Sequence, residues 1–135
     1  NGAHAYHATM PTDGLTKFRD VMHETEQFGF EKARTNQQQL GDKVRHLLAE
    51  KEIKSVAAEG FQAPGVIVSY TDDTDIHTGK RFIAEGLQIA AGVPLQCDEP
   101  DDFKTFRIGL FGLDKLDNVE RTVERFEQAL NRVFA

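Results

Sequence analysis

An arginine in a short strand-like stretch is the residue of this sequence best suited to binding a charged ligand. Residues 105–112 read TFRIGLFG, and the two-residue period of a strand places three apolar side chains on one face. Arg107 lies on the other face, between the small residues Thr105 and Gly109. Its flat guanidinium matches a carboxylate or phosphate with two parallel hydrogen bonds. We therefore interpret Arg107 as an anion-binding residue; the alternative is a half-exposed strand with its Arg in solvent.

Metal and nucleophile chemistry have weaker support. His4 and His7 lie at the N-terminus without an acidic or histidine partner at helical spacing, so we predict no metal site. Cys97 precedes Asp98 and Glu99, and neighbouring carboxylates raise the pKa of a thiol, which makes it a poor nucleophile. We assign no catalytic residue to this chain.

An acidic run, TDDTD at residues 71–75, has two readings. It resembles a cation-binding loop in composition, but it lacks the spacing, the Gly and the closing Glu of an EF-hand. Asp and Thr are also preferred helix caps. We predict that this run caps a helix.

Length and charge exclude several classes of protein. The 135 residues, 39% of them hydrophobic, suit one domain with a single core. The 16 Lys and Arg residues against 22 Asp and Glu residues give a formal charge of −6, which disfavours nucleic-acid and anionic-membrane partners. One cysteine allows no intrachain disulfide, so we expect a reducing, cytoplasmic location.

Two helices are predicted at the start of the domain. The first begins near Thr12 or Asp13, either of which is a suitable cap, and the second follows a break at Gly29 and ends near Glu52. Inside the second helix, Gly41 predicts close backbone packing. The apolar stripes are Leu15, Phe18, Val21 and Met22 in the first helix, and Ala33, Leu40, Val44, Leu47 and Leu48 in the second.

The remaining elements predict a small sheet. Short apolar runs indicate strands at 53–57, 66–70, 87–90 and 105–112. Between the second and third lies a helix that ends at Gly86 and carries Ile76, Phe82 and Ile83 inward. Asp114 or Asp117 should cap a final helix, whose inner face is Val119, Val123, Phe126, Leu130 and Val133. The fold class is α+β, a small antiparallel or mixed sheet of three to four strands covered on one face by helices.

Three features together resemble a known family. They are residues 6–11 (YHATMP), the helix pair, and residues 106–112 (FRIGLFG) before a final helix. In this order they are similar to the C-terminal part of class V aminotransferases, which are fold type I enzymes that use pyridoxal phosphate. The alanine–glyoxylate and serine–pyruvate enzymes are the most similar in pattern.

The resemblance implies roles for three residues. Tyr6 and Thr9 would give their hydroxyls to the cofactor phosphate of the neighbouring subunit in a homodimer, and Arg107 would hold the carboxylate of an amino-acid or oxo-acid substrate. Residues 1–12 would be an arm from a preceding large domain, and residues 13–135 the small C-terminal domain. One departure is the segment 93–104 before Arg107, which is acidic where the family is usually Gly-rich.

The resemblance also implies that the chemistry lies elsewhere. In the family, the Lys that binds the cofactor and the Asp that pairs with its ring nitrogen belong to the large domain, which this chain does not contain. Lys17, Lys32 and Lys43 fall on solvent faces of the predicted helices and are not substitutes. We therefore expect a fragment that is inactive alone and lacks the cofactor. The alternative is a stand-alone α+β module that binds a small acid or a protein partner.

Overall fold

Two long helices open the structure, a computed structural model that describes residues 10–135. Helix α1 spans Thr12–Phe28 and helix α2 spans Phe30–Glu50, and Gly29 between them adopts a positive φ of 98°. This confirms the predicted break. The predicted cap is wrong, because Thr12 and Asp13 lie inside the first turn. Pro11 holds the cap position without a side-chain hydrogen bond, and its carbonyl accepts from the Leu15 N–H at 2.9 Å.

The apolar stripe of α1 is exposed. None of the residues of this helix is buried, and the exposed fractions are Leu15 51%, Phe18 63%, Val21 46% and Met22 53%. An amphipathic helix gains most of its stability by burying such a stripe. Within residues 10–135, α1 therefore lacks the cover that its sequence predicts.

Helix α2 packs closely against the chain that leads into the sheet. Leu40, Val44 and Leu48 are buried on its inner face, as predicted. At Gly41, a Cβ atom would lie 2.6 Å from the carbonyl oxygen of Pro64. The glycine thus allows the close backbone approach that the sequence predicted.

Three antiparallel strands form the sheet. Strand β1 is Val66–Tyr70, β2 is Ala90–Ala91 and β3 is Thr105–Gly109, in the order β1-β3-β2. The predicted strand at 53–57 is wrong: this segment makes one bridge, Ser55 with Ser69, and does not continue along β1. The strand predicted at 87–90 instead begins at Ala90, because the N–H of Leu87 bonds to Phe82 of the preceding helix. Strand β3 ends earlier than expected, at Gly109.

The acidic run caps a helix, as predicted. Asp73 accepts hydrogen bonds from the N–H groups of Asp75 and Ile76. The helix is, however, divided by the left-handed Gly79 into α3 (Thr74–His77) and α4 (Lys80–Ala84). The predicted inward position of Ile83 is wrong: it is 62% exposed. Residues adjacent in a helix lie about 100° apart, so burying Phe82 turns Ile83 outward.

Two further helices complete the core. A short α5 (Leu113–Leu116) precedes α6 (Val119–Val133). Neither Asp114 nor Asp117 caps α6, since Asn118 accepts from the N–H of Arg121 at 2.9 Å. The predicted inner face of α6 is confirmed, with four residues buried and Val123 partly buried.

The layered fold class predicted from the sequence is confirmed. The side chains of α2 and α6 cover one face of the sheet, where Phe106 packs between Phe82 and Phe134. No helix within residues 10–135 is long and apolar enough to cross a membrane.

Candidate functional site

Arg107 lies in the central strand of the sheet, on the face away from the helices. Its partners in register are Val68 of β1 and Ala90 of β2, while its sequence neighbours Phe106 and Ile108 are buried on the helix side. The Arg107 Nε–H donates to the carbonyl oxygen of Ala91 at 2.9 Å. This bond fixes the base of the guanidinium on the neighbouring strand.

The outer nitrogens of Arg107 are available for a ligand. Among residues 10–135 they donate to no acceptor, and no carboxylate lies within the 4.0 Å that defines an ion pair. One nitrogen is used for position and two remain for recognition. Such an arrangement can bind a carboxylate, because the guanidinium presents its donors in a fixed plane.

The surroundings of Arg107 match the prediction only in part. Gly109 is exposed beside it, as expected, but Thr105 is 1% exposed and takes no part in an open surface. The carbonyl of Thr105 is bonded to Nδ1 of His77 at 2.7 Å. Tyr70, opposite Thr105 in register, stacks edge-on with Phe103 at 5.7 Å between ring centroids. The site is thus an open sheet face with an aromatic pair at one end.

The loop before β3 uses one of its acidic side chains, Glu99, for internal hydrogen bonds. The Glu99 carboxylate accepts from the N–H groups of Leu95, Gln96 and Cys97 at 2.6 to 2.9 Å. The bonds from Cys97 and Gln96 are the main cause that lowers the pKa of Glu99 to about 2. Desolvation, and then the Glu99 carboxylate, raise the pKa of the Cys97 thiol. This is the direction that the sequence predicted, with desolvation as a larger cause.

In the acidic run at residues 71–75, Asp73 has a structural role as a helix cap and ion-pair partner. The N–H of Ile76 is the main cause that lowers the pKa of Asp73, with smaller contributions from Asp75 and Arg81. Nη1 of Arg81 lies 3.1 Å from the Asp73 carboxylate. No group of three or more His, Cys, Asp or Glu residues that could hold a metal occurs in the described part of the chain.

The structure does not test the two residues that the resemblance assigns to the cofactor. Tyr6 and Thr9 lie outside the described residues, so their assignment stays a prediction. Lys17 and Lys32 are exposed, and Lys43 is paired with Glu120 at 3.0 Å. None of these three lysines lies in the dry surroundings that a covalent cofactor site requires.

Two basic regions were missed by sequence reasoning. Arg45 of α2 donates from Nη2 to the carbonyls of Ala63 and Val66 at 2.9 and 3.2 Å. Burial lowers the pKa of Arg45, and the nearby Asp42 carboxylate opposes that effect. On α6, Arg121 and Arg125 line a cavity of about 270 Å³. Their spacing of four residues was visible in the sequence, but the cavity depends on tertiary structure.

Comparison with models of known protein families and with curated proteins gave no match to this chain. The geometry that bears on function is therefore that of the chain itself. Its clearest feature is Arg107, which is tethered through Nε and carries two donor groups without an acceptor among residues 10–135.

Proposed function

We propose that this chain is the C-terminal small domain of a class V, fold type I aminotransferase that uses pyridoxal phosphate. In the intact homodimer, the enzyme would transfer an amino group between an amino acid, such as alanine or serine, and glyoxylate or pyruvate. A cytoplasmic location is part of the proposal. The resemblance of residues 6–11 and 106–112 motivates it, and the chain supplies substrate binding rather than catalysis.

The observation that carries the proposal is the state of Arg107. A surface arginine commonly pairs with a nearby acid, and this chain has 22 acidic residues. Within residues 10–135, the Arg107 side chain instead bonds only to the Ala91 carbonyl. A guanidinium held in place and left with free donors supports a role in binding an acid group from outside the domain.

The exposed stripe of α1 gives separate support. Leu15, Phe18 and Met22 form a contiguous apolar face on a helix that has no buried residue. Apolar faces of this kind commonly mark contacts with another domain or chain. A small domain that packs against a larger one, or against a second subunit, accounts for this face.

The described residues do not by themselves fit the cofactor. Covalent attachment of pyridoxal phosphate requires a lysine that loses its proton readily, and Lys17, Lys32 and Lys43 are exposed or paired. When bound, the cofactor supplies the electron-accepting chemistry of amino-group transfer. The proposal therefore assigns that chemistry to the large domain and to the arm that contains Tyr6 and Thr9.

Arg107 has a defined part in this scheme. Its free nitrogens would bind both oxygens of the substrate carboxylate, and the bond from Nε to Ala91 would keep the guanidinium plane fixed while they do so. Fixing one end of the substrate positions its reacting carbon relative to groups on the other domain. A lysine at this position would keep the charge but lose the planar pair of donors.

The test is Arg107→Lys in the enzyme expressed from the complete gene. We expect kcat/KM for alanine and glyoxylate to fall about 10- to 100-fold, which is the loss of one charge-assisted hydrogen bond. Arg34→Lys is the matched control, because Arg34 is an exposed arginine on α2 and its change should leave activity intact. Unchanged kinetics in Arg107→Lys would contradict the assigned role.

The complete gene also separates this proposal from the stand-alone module. An open reading frame before Asn1 that encodes a large domain with a strand-terminal lysine supports the aminotransferase. A start codon immediately before Asn1 overturns it and leaves Arg107 as the acid-binding residue of a small module. Binding of pyruvate to the 135-residue chain, followed by NMR, would then be the informative measurement.

A further inference from the structure

A second basic site lies beside helix α6, where the short strand β2 begins. Pairing between β2 and β3 is limited to Ala90 with Arg107 and Ala91 with Phe106. The preceding residues 87–89 do not continue this pairing, and a cavity of about 270 Å³ opens between them, the end of β3 and α6. The cavity arises because β2 is only two residues long.

The cavity has an apolar interior and a charged rim. Ile108 and Phe126, both almost fully buried, contribute the interior together with Leu87 and Ile89. The charged residues that line it are Lys115, Arg121, Arg125 and Asp114. Three cations against one carboxylate leave an excess of two positive charges in a chain whose formal net charge is −6.

The two arginines have no acid to neutralise them within the described residues. Neither Arg121 nor Arg125 lies within 4.0 Å of a carboxylate there, while Asp114 is paired with Lys115 at 3.3 Å. Two other cations on or beside α6 do have acidic partners: Lys43 pairs with Glu120 and Arg132 with Glu85. The unpaired cations of α6 are thus collected on the side that faces the cavity.

The position of Arg121 gives an electrostatic reason to expect an anion at this cavity. It lies in the first turn of the 15-residue helix α6, where the unpaired N–H groups already give a positive partial charge. A cation is unfavourable at this end of a helix, and Arg125 follows it by four residues on the same side. A bound anion would remove both sources of repulsion.

We propose that this cavity binds a small organic phosphate, a phosphate monoester with a compact apolar body. The monoester carries close to two negative charges at neutral pH, which matches the excess of two positive charges at the rim. Arg121 and Arg125 bind the phosphate oxygens, and the apolar body packs against Ile108 and Phe126. The site is separate from Arg107 and does not depend on the aminotransferase assignment.

Phenyl phosphate is a suitable probe for the 135-residue chain. In a titration followed by amide NMR at neutral pH, we expect the largest shifts at residues 87–89, 108–109 and 121–126. Arg125→Gln should weaken binding at least about tenfold, and Arg121→Gln should do the same, because each removes a charge-assisted hydrogen bond. Circular dichroism confirms that both variants remain folded, and the exposed Arg34→Gln is the control expected to keep full affinity.

Further probes separate charge from shape. Inorganic phosphate should bind more weakly than phenyl phosphate, and the neutral analogue benzyl alcohol more weakly still. Arg107→Gln should leave phenyl phosphate binding unchanged, so failure here and failure of the aminotransferase assignment are distinguishable. Shifts elsewhere in the domain, equal loss in Arg34→Gln, or unchanged affinity in both α6 variants would overturn the proposal.

Discussion

The two faces of the sheet differ sharply, although a single strand supplies residues to both. On the face toward the helices, Phe106 and Ile108 are 0% and 4% exposed and belong to the hydrophobic core. On the other face, Gly109 and Tyr70 are exposed, and Arg107 is held through its Nε–H. Adjacent residues of β3 therefore have different roles, in the core on one face and at the surface on the other. The helix-covered face contributes most of the stability, and the open face leaves Arg107 available for binding.

This division explains why Arg107 can be free without destabilising the domain. A charged group in the core would require a partner or a large desolvation cost. On the open face, solvent stabilises the guanidinium and the Ala91 carbonyl orients it. Four predictions follow about which parts of the domain carry its stability, and the first and last of them compare the two faces directly.

The largest expected effect is on the covered face. Phe106→Ala should lower the free energy of unfolding by about 3–5 kcal/mol, because it leaves a cavity between Phe82 and Phe134. Urea unfolding followed by circular dichroism measures this loss. A loss below about 1 kcal/mol would show that the helices do not pack tightly on this face.

The next effect concerns the contact between α2 and the chain entering β1. Gly41→Ala should lower the free energy of unfolding by about 1–3 kcal/mol, because the new Cβ would lie 2.6 Å from the Pro64 carbonyl oxygen. The matched control is Gly14→Ala in α1, where the nearest atom is 3.7 Å away. Gly14→Ala should be neutral or stabilising, by up to about 1 kcal/mol. Equal thermal shifts in the two variants would contradict the close approach at Gly41.

Sequence periodicity was sufficient to predict the covered face. The stripes of α2 and α6 and the alternation in residues 105–110 determine which side chains enter the core, and these are buried or partly buried in the structure. Short elements were predicted less well. Residues 53–57 and 87–89 have strand-like composition, but pairing depends on how neighbouring segments leave the sheet, which local sequence does not specify. Ile83 was predicted to point inward with Phe82, but α4 buries Phe82 and turns Ile83 to solvent.

The sequence was sufficient to identify Arg107 as the candidate binding residue and to predict which face it occupies. It was not sufficient to predict the residues that surround it. Alternation placed Arg107 opposite the core, and the structure agrees. The buried state of Thr105 was not predictable, because the residues that lie against it, His77 and Gly92, are distant in sequence. The cavity at Arg121 and Arg125 was not predictable either, because it arises where residues 87–89 stay unpaired before β2 begins. Residue spacing thus identifies the side chains that can donate hydrogen bonds, and tertiary contacts determine which of them have no partner among residues 10–135.

A smaller and local effect is expected in the loop that precedes β3. Glu99 has a folded-state pKa of about 2, below its ordinary value, so its contribution to loop stability is complete above pH of about 4.5. That contribution decreases as the pH falls below about 4.5 and is lost as the pH passes through about 2. Amide NMR of Leu95, Gln96 and Cys97 should show these signals shifting in that acidic range. In Glu99→Ala, the same three amides should lose this transition.

The smallest expected effect on stability is at Arg107 itself. Arg107→Gln should change the free energy of unfolding by no more than about 1 kcal/mol, because it removes one hydrogen bond at a solvent-accessible position. Arg45→Gln is the matched comparison: Arg45 is half-buried like Arg107, but its replacement removes two bonds to backbone carbonyls and should cost about 1.5–3 kcal/mol. Urea unfolding of both variants measures the difference. If Arg107→Gln proved as destabilising as Arg45→Gln, the arginine of the open face would be a structural brace, and its free nitrogens would no longer indicate a ligand.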